Sequence, residues 1–250
     1  SRFCKGGDNI SIHRPEGVYI ANTPNCNERA VAEFTVGQIL ELVRRVNFSR
    51  VKLVQEGLWE RPFAEEWRQV TVGVIGLGLI GRIVTNILLD MGFRVFVWTA
   101  HPDGHSEFIQ KYNILLKSTL EELCSLVDVV TVHTSANSNT IGIIGMEQFK
   151  LMRARNACLV NTARHELVDY KALGIAFAEN WIGGAAIDVW PEEPIKSLWL
   201  KQLIQNPNMI ATPHIAGRTN IAVNKAISLC AYNVAWVLSG RPELASCVVF

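Results

Sequence analysis

The sequence predicts an α/β protein with a doubly wound parallel sheet, and three observations indicate it. From Val70 onward, short apolar segments rich in β-branched residues alternate with segments whose apolar residues recur at helical spacing. The first of these strands runs directly into a glycine-rich turn and then a helix. Hydrophobic residues make up 49% of the 250 residues and charged residues 19%, which is typical of a chain with a large buried core.

The repeating part of the chain contains six predicted strands separated by five predicted helices. The strands are Thr71–Ile75, Arg94–Trp98, Asp128–His133, Ala157–Asn161, Gly183–Val189 and Asn208–Thr212. The helices lie near Ile80–Met91, Ser118–Leu126, Met146–Met152, Asp169–Glu179 and Leu198–Ile204. Six strands with intervening helices are the full set for a dinucleotide-binding domain.

The flanks of this repeating part differ from it. The first 26 residues contain glycines, turn signals and one short predicted strand, Val18–Ala21. Asn27 is the predicted N-cap of a long helix over Glu28–Arg45. A second long helix is predicted over Thr219–Leu238, where Gly240 and Pro242 follow and stop it.

Composition excludes several classes of function. The net charge is +1 and no Lys/Arg cluster forms a stripe, so we expect no nucleic-acid partner. The longest apolar stretches are of strand length, so we expect no membrane partner. The six cysteines show no CxxC spacing, and the five histidines other than His214 form no metal-ligand pairs with one another, so we expect neither disulfides nor a metal site. The first residues lack a signal-peptide pattern, and we expect a cytoplasmic protein.

The glycine-rich turn reads Gly76-Leu77-Gly78-Leu79-Ile80-Gly81. Gly76 would permit the tight turn, Gly78 would let a pyrophosphate approach the backbone, and Gly81 would let the helix pack closely on the strand. The free N–H groups of the helix N-terminus would then face the phosphates. An ordinary glycine-rich turn is the alternative, but the strand before it and the helix after it favour a dinucleotide-binding Rossmann domain.

Three further motifs begin in predicted strands and break into loops at the carboxyl ends of those strands. They are Leu159-Val160-Asn161-Thr162-Ala163-Arg164, Ala186-Ile187-Asp188-Val189-Trp190-Pro191-Glu192-Glu193-Pro194 and Ala211-Thr212-Pro213-His214-Ile215-Ala216-Gly217. This places an arginine, a carboxylate and an imidazole on the same edge as the glycine turn. Arginine offers a planar fork for a substrate carboxylate. Histidine can take a hydroxyl proton as hydride leaves the same carbon, and a neighbouring carboxylate fixes its tautomer.

These motifs, in this order, resemble the D-isomer-specific 2-hydroxyacid dehydrogenase family across essentially the whole chain. The resemblance implies a Rossmann domain with the remnant of a second, flavodoxin-like substrate domain. Residues 1–45 would be the remainder of the substrate domain plus an interdomain helix, 46–218 the NAD(P)-binding domain, and 219–250 a helix that returns to the substrate domain. It also implies an NAD(P)-dependent oxidoreductase that interconverts a D-2-hydroxy acid and its 2-keto acid.

The resemblance assigns roles to individual residues of this sequence. Arg164 would bind the substrate carboxylate, His214 would be the acid/base and Glu193 would pair with His214, while Glu192 would be a solvated loop acid. Asp188 would hold the nicotinamide carboxamide. The cofactor would further be lined by Leu79, Ile80, Thr162, Ala163 and Gly217. The loop Cys4-Lys5-Gly6 would help to hold the substrate carboxylate, with Lys5 and Gly6 as its contacts.

Several positions depart from the family pattern. Thr99 stands where an acidic residue normally holds the adenosine ribose, which leaves NAD and NADP both open, with NAD slightly favoured. His165 replaces the usual glycine after Arg164, and Ser135 replaces a common proline. The chain begins close to the Gly6-Gly7-Asp8 region, so we expect a fragment or a truncated gene product.

Two alternatives to the enzyme remain open at this stage. One is a non-enzymatic, NAD(H)-sensing binding protein similar to the transcriptional corepressors that share this fold. The other is an inactive fragment that still binds dinucleotide. The segment Asn27–Leu58, with Trp59 at its end, resembles the dimer-forming region of the family and predicts a homodimer.

Overall fold

The computed structural model describes residues 19–246 and forms one sheet of seven parallel strands. The strands are β1 Thr71–Ile75, β2 Arg94–Trp98, β3 Leu115–Leu116, β4 Val129–Val132, β5 Cys158–Asn161, β6 Gly184–Ile187 and β7 Met209–Ala211. Their order across the sheet is β3-β2-β1-β4-β5-β6-β7. The chain therefore moves outward from β1 to β3 and then returns to place β4 beside β1, which confirms the predicted doubly wound sheet.

Helices cover both faces of this sheet. They are α1 Glu28–Val43, α2 Val46–Gln55, α3 Leu79–Asp90, α4 Ser106–Lys111, α5 Leu120–Leu126, α6 Met146–Met152, α7 Tyr170–Ala178, α8 Leu198–Leu203 and α9 Asn220–Leu238. Short 3-10 helices lie between them at Trp67–Gln69, Pro102–His105, Arg153–Arg155 and His165–Leu167, and a further one follows α9 at Pro242–Leu244.

The strands are buried on both faces because each face packs against its own helical layer. Val130 and Leu159 point into one core with α5, α6 and α7, whereas their neighbours Val129 and Val160 point into the other with α1 and α3. This alternation explains why the strands are continuous apolar runs in the sequence. The result is a three-layer α/β/α domain whose loops gather at the two ends of the strands.

The predicted strands are confirmed in place and order, with differences at their ends. β1 and β2 match their predicted bounds, while β4, β5, β6 and β7 each lose one to three residues. The residues outside the shorter strands belong to the adjoining loops. Some of them still bond to neighbouring segments through their backbone, as Asp188 N does to Asn161 O. The structure has one strand more than predicted, β3, which lies at an edge of the sheet. It was not predicted because two exposed residues carry no periodic pattern.

The first long helix is shorter than predicted because the backbone reverses at Arg45. Arg45 has φ 52° in the left-handed region, so α1 ends at Val43 and α2 begins at Val46. Asn27 does occupy the N-cap position, but its side chain makes no capping hydrogen bond. Instead the Asn27 side chain lies against Gly217. Of the predicted strand Val18–Ala21, the described part contains a single bridge residue, Ile20.

The last long helix, α9, differs from the expectation drawn from apolar run lengths. It is 19 residues long. Among the described residues, it is the one helix that is long and apolar enough to cross a membrane, judged by length and composition alone. Only 11% of its most apolar stretch is buried in the protein. Two polar side chains nevertheless tie it to protein. Lys225 Nζ donates to Asn25 O at 2.5 Å, and Asn233 Nδ2 donates to Asn22 O at 3.1 Å.

Candidate active site

The loops after β5, β6 and β7 leave the sheet side by side. Asp188 N donates to Asn161 O at 3.0 Å, and Thr212 N donates to Ile187 O at 3.0 Å. These bonds extend the sheet's ladder one residue beyond the strands, so the three loops start from adjacent positions. The three motifs therefore meet at the carboxyl edge of the sheet, where ligands bind in open α/β folds.

His214 and Glu193 form a hydrogen-bonded pair at this edge. His214 Nδ1 lies 2.8 Å from Glu193 Oε2, and the two side chains are 51% and 40% exposed. Because a carboxylate only accepts, Nδ1 carries the proton and donates it to Glu193. The other ring nitrogen, Nε2, is thereby left as the one that can exchange a proton with a ligand.

The backbone and its neighbours hold this pair in position. His214 has φ 54°, an uncommon conformation for a residue with a side chain, and its N–H donates to Asp188 O at 2.9 Å. Glu193 Oε1 accepts from Trp190 N at 2.9 Å. Both members of the pair are thus oriented by the loop that follows β6.

Opposing effects act on the pKa of Glu193, and the net result is a lowered value. Partial burial is the largest single effect and raises the pKa. The hydrogen bonds from His214 and Trp190 N–H, together with the charges of His214 and His165, lower the pKa by more in sum. Glu193 is therefore an anion at neutral pH, which is the form that accepts the imidazole proton.

Asp188 has a positioning role that the sequence analysis did not predict. Its buried carboxylate accepts from Thr212 Oγ1 at 2.6 Å, Ile215 N at 2.9 Å and Ala216 N at 2.8 Å. These bonds fasten the loop after β7 on both sides of His214. The expected contact of Asp188 with a nicotinamide carboxamide stays a prediction.

Arg164 is carried by a loop that Asn161 stabilises. The Asn161 side chain is fully buried, donates to Arg164 O at 2.9 Å and accepts from Ala163 N at 3.1 Å. The guanidinium is exposed and donates to Ala163 O at 2.8 Å. Asn161 was predicted only as the end of a strand, because nothing in a single sequence shows which backbone groups its amide reaches.

The glycine turn has the sterics expected of a phosphate-binding turn. Gly76 has φ 94°, and a Cβ there would lie 2.7 Å from His133 O. A Cβ on Gly81 would lie 2.1 Å from Gly76 O, so the helix packs against the turn backbone. At Gly78, the N-cap of α3, the nearest atom to such a Cβ is His133 O at 3.9 Å, and no side chain caps the helix. The first N–H groups of α3 are thus open to an anion, and the turn fits a dinucleotide pyrophosphate.

The other residues predicted to line a cofactor are distributed around this edge. Leu79 and Ile80 begin α3, and Thr99 directly follows β2. Thr162 is buried, and its Oγ1 lies 2.7 Å from Thr35 Oγ1 of α1. Ala163 follows Thr162 in the Arg164 loop. Gly217 packs on Asn27, the N-cap of α1, so Thr162 and Gly217 each connect a loop of this edge to α1. The substrate-loop residues Lys5 and Gly6 lie outside the described residues.

Three side chains near the site have structural tasks. Glu192, predicted as a solvated loop acid, accepts from Lys196 N and Ser197 N at 3.1 and 2.9 Å, just before α8. Tyr170 donates its hydroxyl to Val189 O and supports the loop after β6. His133 is buried beside the glycine turn, and burial lowers its pKa to about 3, so its ring is neutral. Its Nε2 lies 2.9 Å from Thr131 Oγ1, which gives the buried ring a hydrogen-bond partner.

A comparison with protein families identifies this arrangement. Residues 36–216 match the model of the D-isomer specific 2-hydroxyacid dehydrogenase, NAD binding domain. The chain belongs to this family. The resemblance stated from the motifs is therefore confirmed, and with it the predicted Rossmann fold of the NAD-binding domain.

Individual relatives agree with this assignment. The chain is 32% identical over 251 residues to a glyoxylate reductase of Thermofilum pendens, covering 96% of this chain and 72% of the relative. It is 35% identical to a D-3-phosphoglycerate dehydrogenase of Methanocaldococcus jannaschii, covering 98% of this chain but only 46% of that relative. Against the phosphoglycerate dehydrogenases, the chain thus spans about half of the protein.

Solved structures show the same fold. A D-lactate dehydrogenase of Lactobacillus jensenii with NAD+ superposes with a TM-score of 0.81 at 28% identity, covering 93% of this chain and 72% of that one. A D-lactate dehydrogenase of Aquifex aeolicus complexed with NAD and lactic acid gives a TM-score of 0.82 at 28% identity, covering 91% and 71%.

Proposed function

We propose that this chain provides the dinucleotide-binding and acid–base part of an NAD(P)-linked oxidoreductase that interconverts a D-2-hydroxy acid and its 2-keto acid. The observation that carries the proposal is the 2.8 Å bond between His214 Nδ1 and Glu193 Oε2 beside the Arg164 loop. That bond supplies a proton acceptor whose tautomer is fixed, at the edge of the sheet where the glycine turn lies.

The proton is handled by His214. In the oxidising direction, Nε2 takes the proton of the C2 hydroxyl, and in the reducing direction it returns a proton to the carbonyl oxygen. Glu193 stays ionised and stabilises the imidazolium that forms, without taking the proton itself. The nicotinamide ring of the cofactor would accept or deliver the hydride at C2.

Arg164 is the proposed carboxylate clamp. Its guanidinium is exposed at the carboxyl edge, and the Asn161 bonds fix the loop that carries it. A planar fork of donors matches a carboxylate and polarises an adjacent carbonyl oxygen. Lys5 and Gly6 are proposed to add contacts to the same carboxylate.

The cofactor, partners and location follow as further parts of the proposal. NAD is supported by the matched NAD binding domain, and NADP is the second candidate because Thr99 leaves no carboxylate at the ribose. We propose a homodimer in the cytoplasm. The described cysteines Cys26, Cys124, Cys158 and Cys230 are unpaired, which fits a reducing compartment.

The test is reduction of a panel of 2-keto acids by the full-length protein. Glyoxylate, hydroxypyruvate, pyruvate and phosphohydroxypyruvate are each mixed with NADH or NADPH, and nicotinamide absorbance is followed. We expect turnover of at least one keto acid and a loss of roughly a hundredfold or more in kcat for His214→Gln, because a positioned acid/base is removed. Tight NADH binding without turnover would instead indicate the NAD(H)-sensing alternative, and unchanged kcat in His214→Gln would contradict the assigned role.

A further inference from the structure

The corner of the sheet where β1 and β2 end contains an arginine outside the catalytic group. Gly76 N donates to Trp98 O at 2.8 Å, so Leu77 and Thr99 directly follow a bonded pair of strand ends. Arg82, from the first turn of α3, donates through Nε to Leu77 O at 3.1 Å. Its guanidinium is thereby held beside the glycine turn and at the same corner as Thr99.

Arg82 is paired with His105, from the 3-10 helix that follows β2. Arg82 Nη2 lies 2.6 Å from His105 Nδ1. Arginine has no acceptor atom, so Nδ1 accepts this bond and the histidine proton is on Nε2. The pair therefore presents only donors to its surroundings: the remaining guanidinium N–H groups and the imidazole Nε2–H.

The surroundings favour an anion over a neutral group. Arg82 and His105 border a cavity of about 460 Å³ that Lys111 also lines, with Glu107 as its one carboxylate among the described lining residues. The Phe108 ring lies under the guanidinium at 5.3 Å and helps to fix its plane. Burial, followed by the charges of Arg82 and His101, lowers the pKa of His105, which favours its neutral ring. The positive charge beside the cavity therefore comes from Arg82 and Lys111, which outnumber Glu107.

We propose that Arg82 and His105 form a subsite for a phosphate on the 2′-hydroxyl of the adenosine ribose. Of the two cofactor candidates kept under the proposed function, this subsite favours the 2′-phosphorylated dinucleotide over NAD. The inference rests on the proposed function for the position of the dinucleotide along the glycine turn. Ribose hydroxyls are best held by a carboxylate that accepts from both, and Thr99 offers none. A phosphate has only acceptors, which complements a pair that has only donors.

The test uses cofactor fragments, so it needs neither a keto acid nor turnover. Isothermal titration calorimetry of the full chain compares adenosine 2′,5′-bisphosphate with adenosine 5′-monophosphate. We expect the bisphosphate to bind about tenfold more tightly at low salt, since a charge-assisted bidentate contact is added. Arg82→Gln should bring the ratio close to one, whereas Arg94→Gln, an exposed arginine at the opposite end of β2, should leave it unchanged.

Two further variants keep the proposal falsifiable if Arg82→Gln fails to fold. His105→Gln removes the Nε2–H donor and should lower the ratio several-fold. Thr99→Asp places a carboxylate at the same corner and should make the monophosphate the tighter ligand by repelling the second phosphate. Equal binding of both fragments by the unaltered chain, or a preference that survives all three variants, would overturn the subsite. A preference for the bisphosphate in a chain that reduces no keto acid would leave the subsite standing and reject only the proposed activity.

Discussion

At the scale of single residues, the candidate site contains exposed groups that we propose to react and buried groups that hold their loops in place. His214 and Arg164 are exposed at the carboxyl edge. The buried Asp188 bonds to the loop that carries His214, and the buried Asn161 bonds to the loop that carries Arg164. Exposed reactive groups on loops need such support, because a loop by itself does not fix a side chain. The proposed catalytic geometry therefore depends on Asp188 and Asn161 as much as on the His214–Glu193 pair itself.

The adjacent glutamates 192 and 193 allow a matched test of the acid–base pair. Glu193→Gln should lower kcat by roughly a hundredfold, because an amide neither fixes the His214 tautomer nor stabilises the imidazolium. Glu192→Gln should leave kcat within about twofold, since Glu192 accepts hydrogen bonds from Lys196 N and Ser197 N before α8 and not from His214, whose partner is Glu193. Steady-state kinetics of both variants decide the matter, and equal losses would contradict the assignment.

The pH dependence of stability provides a second test of Glu193. Its pKa lies below the ordinary 4.5 when folded, so the stabilising contribution of the ionised carboxylate is present above that value and is lost as pH falls through the lowered pKa. We expect the difference in Tm between the unaltered chain and Glu193→Gln not to decrease between neutral pH and about pH 5. It should then shrink at more acidic pH, as measured by thermal denaturation in a pH series. A difference that fades between pH 7 and pH 5 would contradict the lowered pKa.

Asp188→Asn tests the anchoring of the His214 loop. The substitution turns one acceptor oxygen into an NH2 group that faces a buried donor, which should destabilise the fold by about 1–3 kcal/mol. Asp169→Asn is the control, because Asp169 is an exposed N-cap of α7 and asparagine caps a helix equally well. Urea denaturation measures both, and equal stability of the two variants would rule out the anchoring role.

At the scale of elements, the periodicity of apolar residues predicted those strands and helices whose bounds depend on neighbouring residues in the sequence. β1, β2 and α6 match their predicted bounds because each is a continuous run with the right periodicity and a clear stop. The break at Arg45 was missed, because a left-handed residue that is neither glycine nor asparagine carries no sequence signal. The bonds of Asp188 and the Arg82–His105 pair were missed for another reason: they join residues more than twenty positions apart.

The third glycine of the turn sets how closely α3 packs on β1. A Cβ at Gly81 would meet the Gly76 carbonyl oxygen at 2.1 Å, so Gly81→Ala should push the helix away and lower stability by about 1–3 kcal/mol. Gly174 in α7 has no atom within 4 Å of the same added Cβ, and Gly174→Ala should instead stabilise by about 0.5–1 kcal/mol. Chemical denaturation of the two alanine variants should give opposite signs, and a neutral Gly81→Ala would contradict the packing role.

At the scale of the whole molecule, two apolar surfaces extend beyond the sheet domain. One is the outer side of α9, where Ile221 and Leu238 are exposed while Lys225 and Asn233 face the segment 22–25. The other, which we call the arm, comprises α2 and residues 56–66. None of the ten residues of α2 is buried, and Trp59 and Phe63 are 82% and 99% exposed. Aromatic side chains this exposed are enriched where proteins associate.

We propose that the arm forms the interface of the proposed homodimer. A two-fold interface uses the same patch on both copies, so one arm can bury the aromatic residues of the other. We therefore expect light scattering at micromolar concentration to give twice the chain mass, and Trp59→Asp combined with Phe63→Asp to give the monomer mass, because buried unpaired carboxylates oppose association. Leu198→Asp, on the exposed start of α8 and outside the arm, should leave the dimer intact. A dimer that survives the double substitution would move the interface elsewhere, and a monomeric unaltered chain would contradict the arm's assignment altogether.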